Sequence, residues 1–160
     1  MTIAFIGLGS NLGQPEQQIA QALRALSSLP RSRLLNASSL YRSAPLNDMP
    51  QPDYVNAVAQ IDTALSPLDL LHALQTIEQA QGRERTQRWD ARTLDLDILL
   101  FGSLQQCDAQ LTLPHPGLTQ REFVVFPLLE IAADLVLPDG QALQQFAAAL
   151  SHRPLQRISA

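Results

Sequence analysis

The sequence predicts a chain of the α/β (α+β) class, an antiparallel sheet with helices packed on it and extra short helices at its C-terminal end. Three observations predict it. Four short stretches read as strands, and two stretches of helical period fall between the first and second and between the third and fourth of them. A Pro-containing tail then adds shorter helical pieces. The order, βαββαβ, is that of a ferredoxin-like sandwich with two helices over one face of its sheet.

Each element has its local reason. Thr2 to Leu8 is a β-rich apolar run ended by glycine. Pro15 opens a helix to Leu29 in which Ile19, Ala22, Leu23, Leu26 and Leu29 recur at helical spacing. Arg33 to Tyr41 and Tyr54 to Thr63 read as the second and third strands, joined by SAPLNDMPQPD, too long and too rigid for a tight hairpin. Ser66, Pro67 and Asp69 are a helix start, with a hydroxyl cap, proline at the first position and an acid at the third. Leu70, Leu71, Leu74 and Ile77 follow as a buried stripe. In RTLDLDILLF, Leu94, Leu96 and Ile98 alternate with Asp95, Asp97 and Leu99, the period of a fourth strand. Pro138, Asp139 and Gly140 form a turn within the tail.

Composition bounds the function. The 160 residues fit one domain spanning 1–160, with no internal repeat and no linker to divide it. No apolar run approaches the roughly 20 residues of a membrane span, and the N-terminus lacks the basic region and cleavage site of a secretion signal. A cytoplasmic location is expected. One cysteine, Cys107, excludes an internal disulfide and any multi-cysteine metal cluster. The net charge of −4 argues against nucleic acid as a partner. All 11 basic residues are arginine, which rules out a Walker A lysine, a Schiff base and a lysine nucleophile. Phosphate chemistry, if present, runs on arginine, backbone amides or metal.

The sharpest local feature is Asp95 and Asp97, which a strand projects from one face. Two carboxylates with no neighbouring histidine or cysteine in sequence suit Mg²⁺, which fills its other positions with water and substrate phosphates. An isolated pair of this kind is equally at home on a solvated sheet face. Arg83, Arg85, Arg88 and Arg92 crowd the ten residues upstream, and guanidinium forks bind phosphate oxygens bidentately. They could equally neutralise the acids in surface ion pairs of little energy. Trp89, within that segment, suits stacking on a purine, a pterin or a guanidinium, or anchoring of the loop. His115, held between Pro114 and Pro116, and Arg121 suit a phosphate tail. Tyr54, Phe123 and Asn56 offer two aromatic faces and an amide to a flat heterocycle. GLGSNLG is not a dinucleotide fingerprint, because Leu12 occupies the third glycine position.

Taken together, FIGLGSNLG, SSLYRSAPL, QPDYVNAV, IEQAQGR, RWDARTLDLDILLF, LPHPGLTQREFVVFPLLEIA and PDG resemble, in order and spacing, the 6-hydroxymethyl-7,8-dihydropterin pyrophosphokinases of folate biosynthesis. The resemblance covers nearly the whole chain. It implies a ferredoxin-like fold and transfer of pyrophosphate from ATP to the pterin hydroxymethyl group, with two Mg²⁺ ions on Asp95 and Asp97. It implies that Arg83 and Arg92 brace the transferring phosphates, and that Gln75, Glu78, Arg85, Arg88, Trp89, Ile98, Thr112, His115 and Arg121 line the ATP site. The pterin is then expected between Tyr54 and Phe123, read by Asn56 and the backbone of Ser43, Ala44, Pro45 and Leu46, with Trp89 closing over it. The partners implied are these two small molecules and a monomeric chain, without nucleic acid or membrane. Asp90 stands where the family usually has glycine, and Thr86 and Gln110 where some relatives have basic residues. Two alternatives fit the residues alone: another Mg²⁺-dependent phosphotransferase or phosphohydrolase, and a non-catalytic nucleotide-binding module of the same fold.

Overall fold

The computed structural model describes residues 1–11, 13–44, 53–81 and 94–158. The elements run β1 (Thr2–Ser10), α1 (Pro15–Ser27), β2 (Ser32–Ala37), β3 (Tyr41–Ser43), β4 (Tyr54–Thr63), α2 (Pro67–Ala80) and β5 (Asp95–Phe101). A small hairpin of β6 (Gln106–Cys107) and β7 (Thr112–Leu113) follows, then α3 (Glu122–Ile131), α4 (Ala147–Leu150) and β8 (Leu155–Arg157). The main sheet has the order β5-β1-β4-β3-β8, with β2 also on β4, and every pairing is antiparallel. This is the ferredoxin-like arrangement that the sequence predicts, with helices on both faces. No described helix is long and apolar enough to cross a membrane.

Period-two alternation sorts the sheet into two cores. Ala4, Ile6 and Leu8 of β1, Ala57, Ala59 and Ile61 of β4 and Leu94, Leu96 and Ile98 face α1 and α2, meeting Ile19, Leu26, Leu70 and Leu74. Phe5, Val58, Leu99 and Leu100 face the other way and pack against Val125 and Leu128 of α3 with Leu118 and Leu143. The start of α2 is as expected: the Ser66 hydroxyl oxygen accepts from the Asp69 N–H at 3.1 Å, with Pro67 at the first position. The turn at 138–140 also forms, with Gly140 at a φ of 90° and its N–H donating to the Leu137 carbonyl.

The strand expected from Arg33 to Tyr41 is two strands. β2 pairs with residues 59–63 of β4 and β3 with residues 54–56, and Ser38 to Leu40 step between them. The break lies in side chains that compete for the ladder. Asn36 accepts from the Ala37 N–H, and the Ser38 hydroxyl takes the Val58 N–H at 2.9 Å. The Ser39 N–H leaves the sheet for the Glu130 carboxylate, 3.0 Å away at the end of α3. β8, which the sequence does not announce, then covers the far edge of β3.

Glu130 is the peg of this corner. Its carboxylate also accepts from the Ser39 hydroxyl at 2.8 Å and the Tyr41 hydroxyl at 2.5 Å, with Arg157 of β8 at 3.5 Å. Partial burial, which alone raises a carboxyl pKa, is outweighed by these donors, so Glu130 titrates below its ordinary value. Burial and the same carboxylate push the Tyr41 phenol up to about 12. A carboxylate with a depressed folded pKa stabilises the fold above its ordinary pKa and loses that contribution as pH falls through the folded value. Tyr41→Phe is therefore expected to cost about 1–2 kcal/mol near neutrality, measured by urea unfolding, and the cost should shrink when the titration is repeated well below pH 4.

Candidate active site

Directly opposed residues of antiparallel strands share a face, so rows can be read across the sheet. One row runs from Asp95 on β5 through Gly9 on β1 to Asn56 on β4 and Tyr41 on β3. The next runs from Asp97 through Gly7 to Val58. Tyr54, opposite Ser43, lies two residues beyond Asn56 on the same face. Carboxylates thus stand at one edge and an aromatic ring and an amide further in, and the strand between them offers main chain without side chains. Two strand spacings separate β5 from β4, about 10 Å. Val58 and Tyr41 of these rows lie against α3, and the acids stand at the far edge of the same face.

Asn56 is 4% exposed and Ser43 2%, and the Asn56 amide donates from Nδ2 to the Ser43 hydroxyl at 2.7 Å. That bond fixes the amide plane, with Oδ1 toward Gly9, where a Cβ would lie only 3.2 Å from it. A Cβ on Gly7 would in turn meet the Leu99 side chain at 3.3 Å. At both glycines it is close approach, not backbone conformation, that a larger residue would meet. GLGSNLG suggests a tight strand-to-helix turn, but Gly7 and Gly9 lie inside β1, and their spacing of two, which puts them on one face, is the signal that could have found this floor.

The acid edge is shaped by a bulge. Ile98 pairs with Ile6 and Leu100 with Phe5, so Leu99 is the extra residue. Its carbonyl accepts from the His115 N–H at 3.0 Å, which brings the segment after Pro114 alongside β5. The His115 Nε2 then lies 4.0 Å from the Asp97 Oδ2, while Nδ1 accepts from the Gly117 N–H at 3.0 Å. An Nδ1 that accepts leaves the proton on Nε2, facing the acids. Burial holds the His115 pKa below its ordinary 6.5, the Asp97 carboxylate opposes that shift, and Arg121 adds to it. Near neutrality the site therefore presents a neutral imidazole donor. Arg121 lies with its guanidinium carbon 5.9 Å from the Phe123 ring centroid. A Cβ on Gly117 would come within 2.5 Å of its Nε, so glycine keeps that arginine in place.

Of the other expected residues, Gln75 is exposed on α2 and Ile98 is buried in the helix-side core. Thr112 is half-buried on β7, beside a cleft of about 410 Å³ lined also by Gln105, Gln106, Cys107, Leu113 and Pro114. Ala44 is exposed beyond β3. Glu78 is 4% exposed, on the same stripe as Leu70 and Leu74, and its Oε2 accepts from the Leu96 N–H at 2.8 Å. Pro45, Leu46, Arg83, Arg85, Arg88, Trp89 and Arg92 lie outside the described residues. Among the described residues no group of three or more His, Cys, Asp or Glu assembles into a cage for a metal ion. Two carboxylates on an open face are instead the oxygen donor set that Mg²⁺ accepts when phosphates complete its shell.

The fold and the site define a ferredoxin-like α/β protein whose sheet carries a carboxylate pair at one edge and an amide and an aromatic ring further in. Comparison with known proteins makes the class specific. Residues 5–133 match the family described as 7,8-dihydro-6-hydroxymethylpterin-pyrophosphokinase (HPPK). The chain is 54% identical over 145 residues to a 2-amino-4-hydroxy-6-hydroxymethyldihydropteridine pyrophosphokinase of Haemophilus influenzae, covering 91% of both chains. It is 49% identical to the protein of that name from Pseudomonas aeruginosa, covering 96% of this chain and 95% of the other. The chain belongs to the HPPK family and is a pyrophosphokinase. Among solved structures, Plasmodium falciparum HPPK-DHPS with pteroate superposes with a TM-score of 0.73 at 13% identity, over 92% of this chain and 42% of that one. HPPK-DHPS in complex with substrates gives 0.72 at 13%, over 92% and 43%. The chain therefore spans less than half the length of those two proteins, and the likeness shows the fold.

Gly9→Ala places a methyl against the Asn56 amide, whose only escape is to give up Ser43. The Asn56 side-chain amide resonances are expected to move in a proton–nitrogen correlation spectrum while those of the α1 and α2 core stay in place. An unmoved Asn56 signal would show that the floor has room to spare.

Proposed function

We propose that this chain transfers pyrophosphate from ATP to the hydroxymethyl oxygen of 6-hydroxymethyl-7,8-dihydropterin, yielding AMP and the pterin pyrophosphate used in folate synthesis. The observation that carries the reading is the row from Asp95 across Gly9 to Asn56. It sets an acid pair about two strand spacings, roughly 10 Å, from a buried amide, with unobstructed backbone between. The relatives named as pyrophosphokinases of the hydroxymethyldihydropteridine support the choice of acceptor.

In this reading the pterin lies between the Tyr54 and Phe123 rings, and Asn56 reads its edge with Oδ1 and the amide hydrogen not given to Ser43. Asp95 and Asp97 would hold Mg²⁺ together with the triphosphate. When bound there, Mg²⁺ offsets the negative charge of the polyphosphate and makes the β-phosphorus a better electrophile. The pterin hydroxyl oxygen forms a bond to that phosphorus as the bond from it to the oxygen bridging toward the α-phosphorus breaks. AMP departs with the electron pair, and the hydroxyl proton passes to solvent. Arg121 and the Nε2–H of neutral His115 donate to phosphate oxygens as charge shifts toward the leaving group. Arg83 and Arg92 brace the transferring phosphates, and Arg85, Arg88, Gln75 and Thr112 line the nucleotide. Trp89 closes over the site and excludes water that would otherwise accept the pyrophosphate.

A nucleotide-product assay tests this directly. AMP should form when hydroxymethyl-dihydropterin is supplied and not without it. Formation of ADP, or hydrolysis independent of the pterin, would replace this reading with another phosphotransferase or a phosphohydrolase. Asp95→Ala and Asp97→Ala are each expected to lower turnover by more than about a hundredfold with the circular dichroism spectrum unchanged. Phe123→Ala should weaken pterin binding more than nucleotide binding by calorimetry. Equal losses for the two ligands would place Phe123 outside the pterin sandwich.

A further inference from the structure

Glu122 is a buried carboxylate set between two residues of the proposed site. It opens α3, following Arg121 and preceding Phe123. Among the described residues no side chain caps the start of this helix. Arg121 stands at the cap position, where an arginine side chain has no acceptor to offer, and its carbonyl takes the Val124 and Val125 N–H groups. Among the described residues the Glu122 Oε2 accepts no hydrogen bond. The charge that answers it is the Arg153 guanidinium, whose Nη1 lies 3.6 Å from Oε2. Arg153 belongs to the tail after α4, beyond residue 133, where the match to the family ends. Further along the tail, Arg157 meets Glu130 at the other end of α3 at 3.5 Å. The helix from Glu122 to Glu130 rises about 12 Å, and extended chain from Arg153 to Arg157 reaches about 13 Å, so the tail runs beside α3 and is tied to it at both ends.

We propose that Arg153 is a positioning residue for the pterin and phosphate contacts: its ion pair with Glu122 holds the first turn of α3 closed, and with it Arg121 and Phe123. The proposal rests on the reading of Phe123 and Arg121 as groups that meet the pterin and the phosphates. An ion pair exposed on both sides would carry no such weight. Here the Glu122 side chain is 9% exposed against 45% for Arg153, so the carboxylate has given up most of its water and depends on the guanidinium. Deprived of that partner, the carboxylate regains water only if the first turn opens, and an uncapped turn opens at little cost. Arg121 and Phe123 flank Glu122 and move with it. The contact of the Arg121 guanidinium with the Phe123 ring makes the two side chains one unit.

Two measurements on the full chain test it. In the protein without ligands, Arg153→Ala should speed hydrogen exchange at the Val124 and Val125 amides about tenfold or more. The Ala132 amide, bonded to the Leu128 carbonyl at the far end of α3, should stay unchanged. In calorimetric titration with 6-hydroxymethylpterin, in Mg²⁺ and a non-hydrolysable ATP analogue, Arg153→Ala should weaken binding about fivefold. Arg153→Lys keeps the charge and should stay within about twofold of the parent. Added to Phe123→Ala, the alanine substitution at Arg153 should weaken pterin binding no further, because the ring through which Arg153 acts is gone. Arg153→Gln removes the charge, keeps much of the side chain's length, and should give the same two losses if the alanine variant does not fold. Unchanged exchange at Val124 and Val125 would mean that Arg153 ties nothing. Faster exchange with pterin binding unchanged would make the tie a matter of stability alone, and a full further loss on top of Phe123→Ala would mean that Arg153 reaches the pterin by another route; each of these results overturns the proposal. If the parent chain itself does not bind the pterin, the reading of Phe123 fails instead. The exchange result still decides the tie.

Discussion

The register between β1 and its two neighbours is the constraint on which the site depends. Gly9 falls opposite both Asp95 and Asn56, and Gly7 opposite Asp97 and Val58. A slip of one residue on either side would turn the acids into the helix-side core and Ala57 onto the ligand face. That slip is forbidden by the apolar residues interleaved with the polar ones, since Leu94, Leu96 and Ile98 are all but fully buried against α1 and α2. The same alternation that builds the core therefore aims the carboxylates. Stability and chemistry share a strand and are separated by its two faces.

The ligand face is itself divided. Its apolar part, around Phe5, Val58 and Leu99, lies beneath α3, and its polar part carries Asp95, Asp97 and Asn56. Two irregularities make the division possible. The bulge at Leu99 frees a carbonyl for His115 and so draws the histidine to the acid edge. The break at Ser38 to Leu40 lets Glu130 tie the end of α3 to the sheet through Ser39 and Tyr41. Regular strands would have produced a smoother sheet and no site.

Much of this was legible in the sequence wherever a local rule decides. The third strand was read at Tyr54 to Thr63, its observed bounds, because every second residue is apolar and proline stands before it. The cap at Ser66 was legible because hydroxyl, proline and acid fall at the three positions that geometry prescribes. What could not be read depends on partners far along the chain. Ser39 reads as one more residue of a strand until Glu130, 91 residues later, takes its N–H. β8 has three residues and no periodicity, and becomes a strand only because β3 offers an edge. The burial of Glu78 could not be read from a stripe whose apolar run ends at Ile77.

The floor of bare backbone carries a consequence for inhibition. A compound that rests on the main chain of Gly7 and Gly9 leans on atoms that no codon change can alter. Any replacement there adds a Cβ 3.3 Å from the Leu99 side chain or 3.2 Å from the Asn56 oxygen, so a neighbour must shift to admit it. Escape from such a compound would have to arise in the surrounding side chains, and chemistry that invests its affinity in the β1 backbone leaves resistance few places to begin.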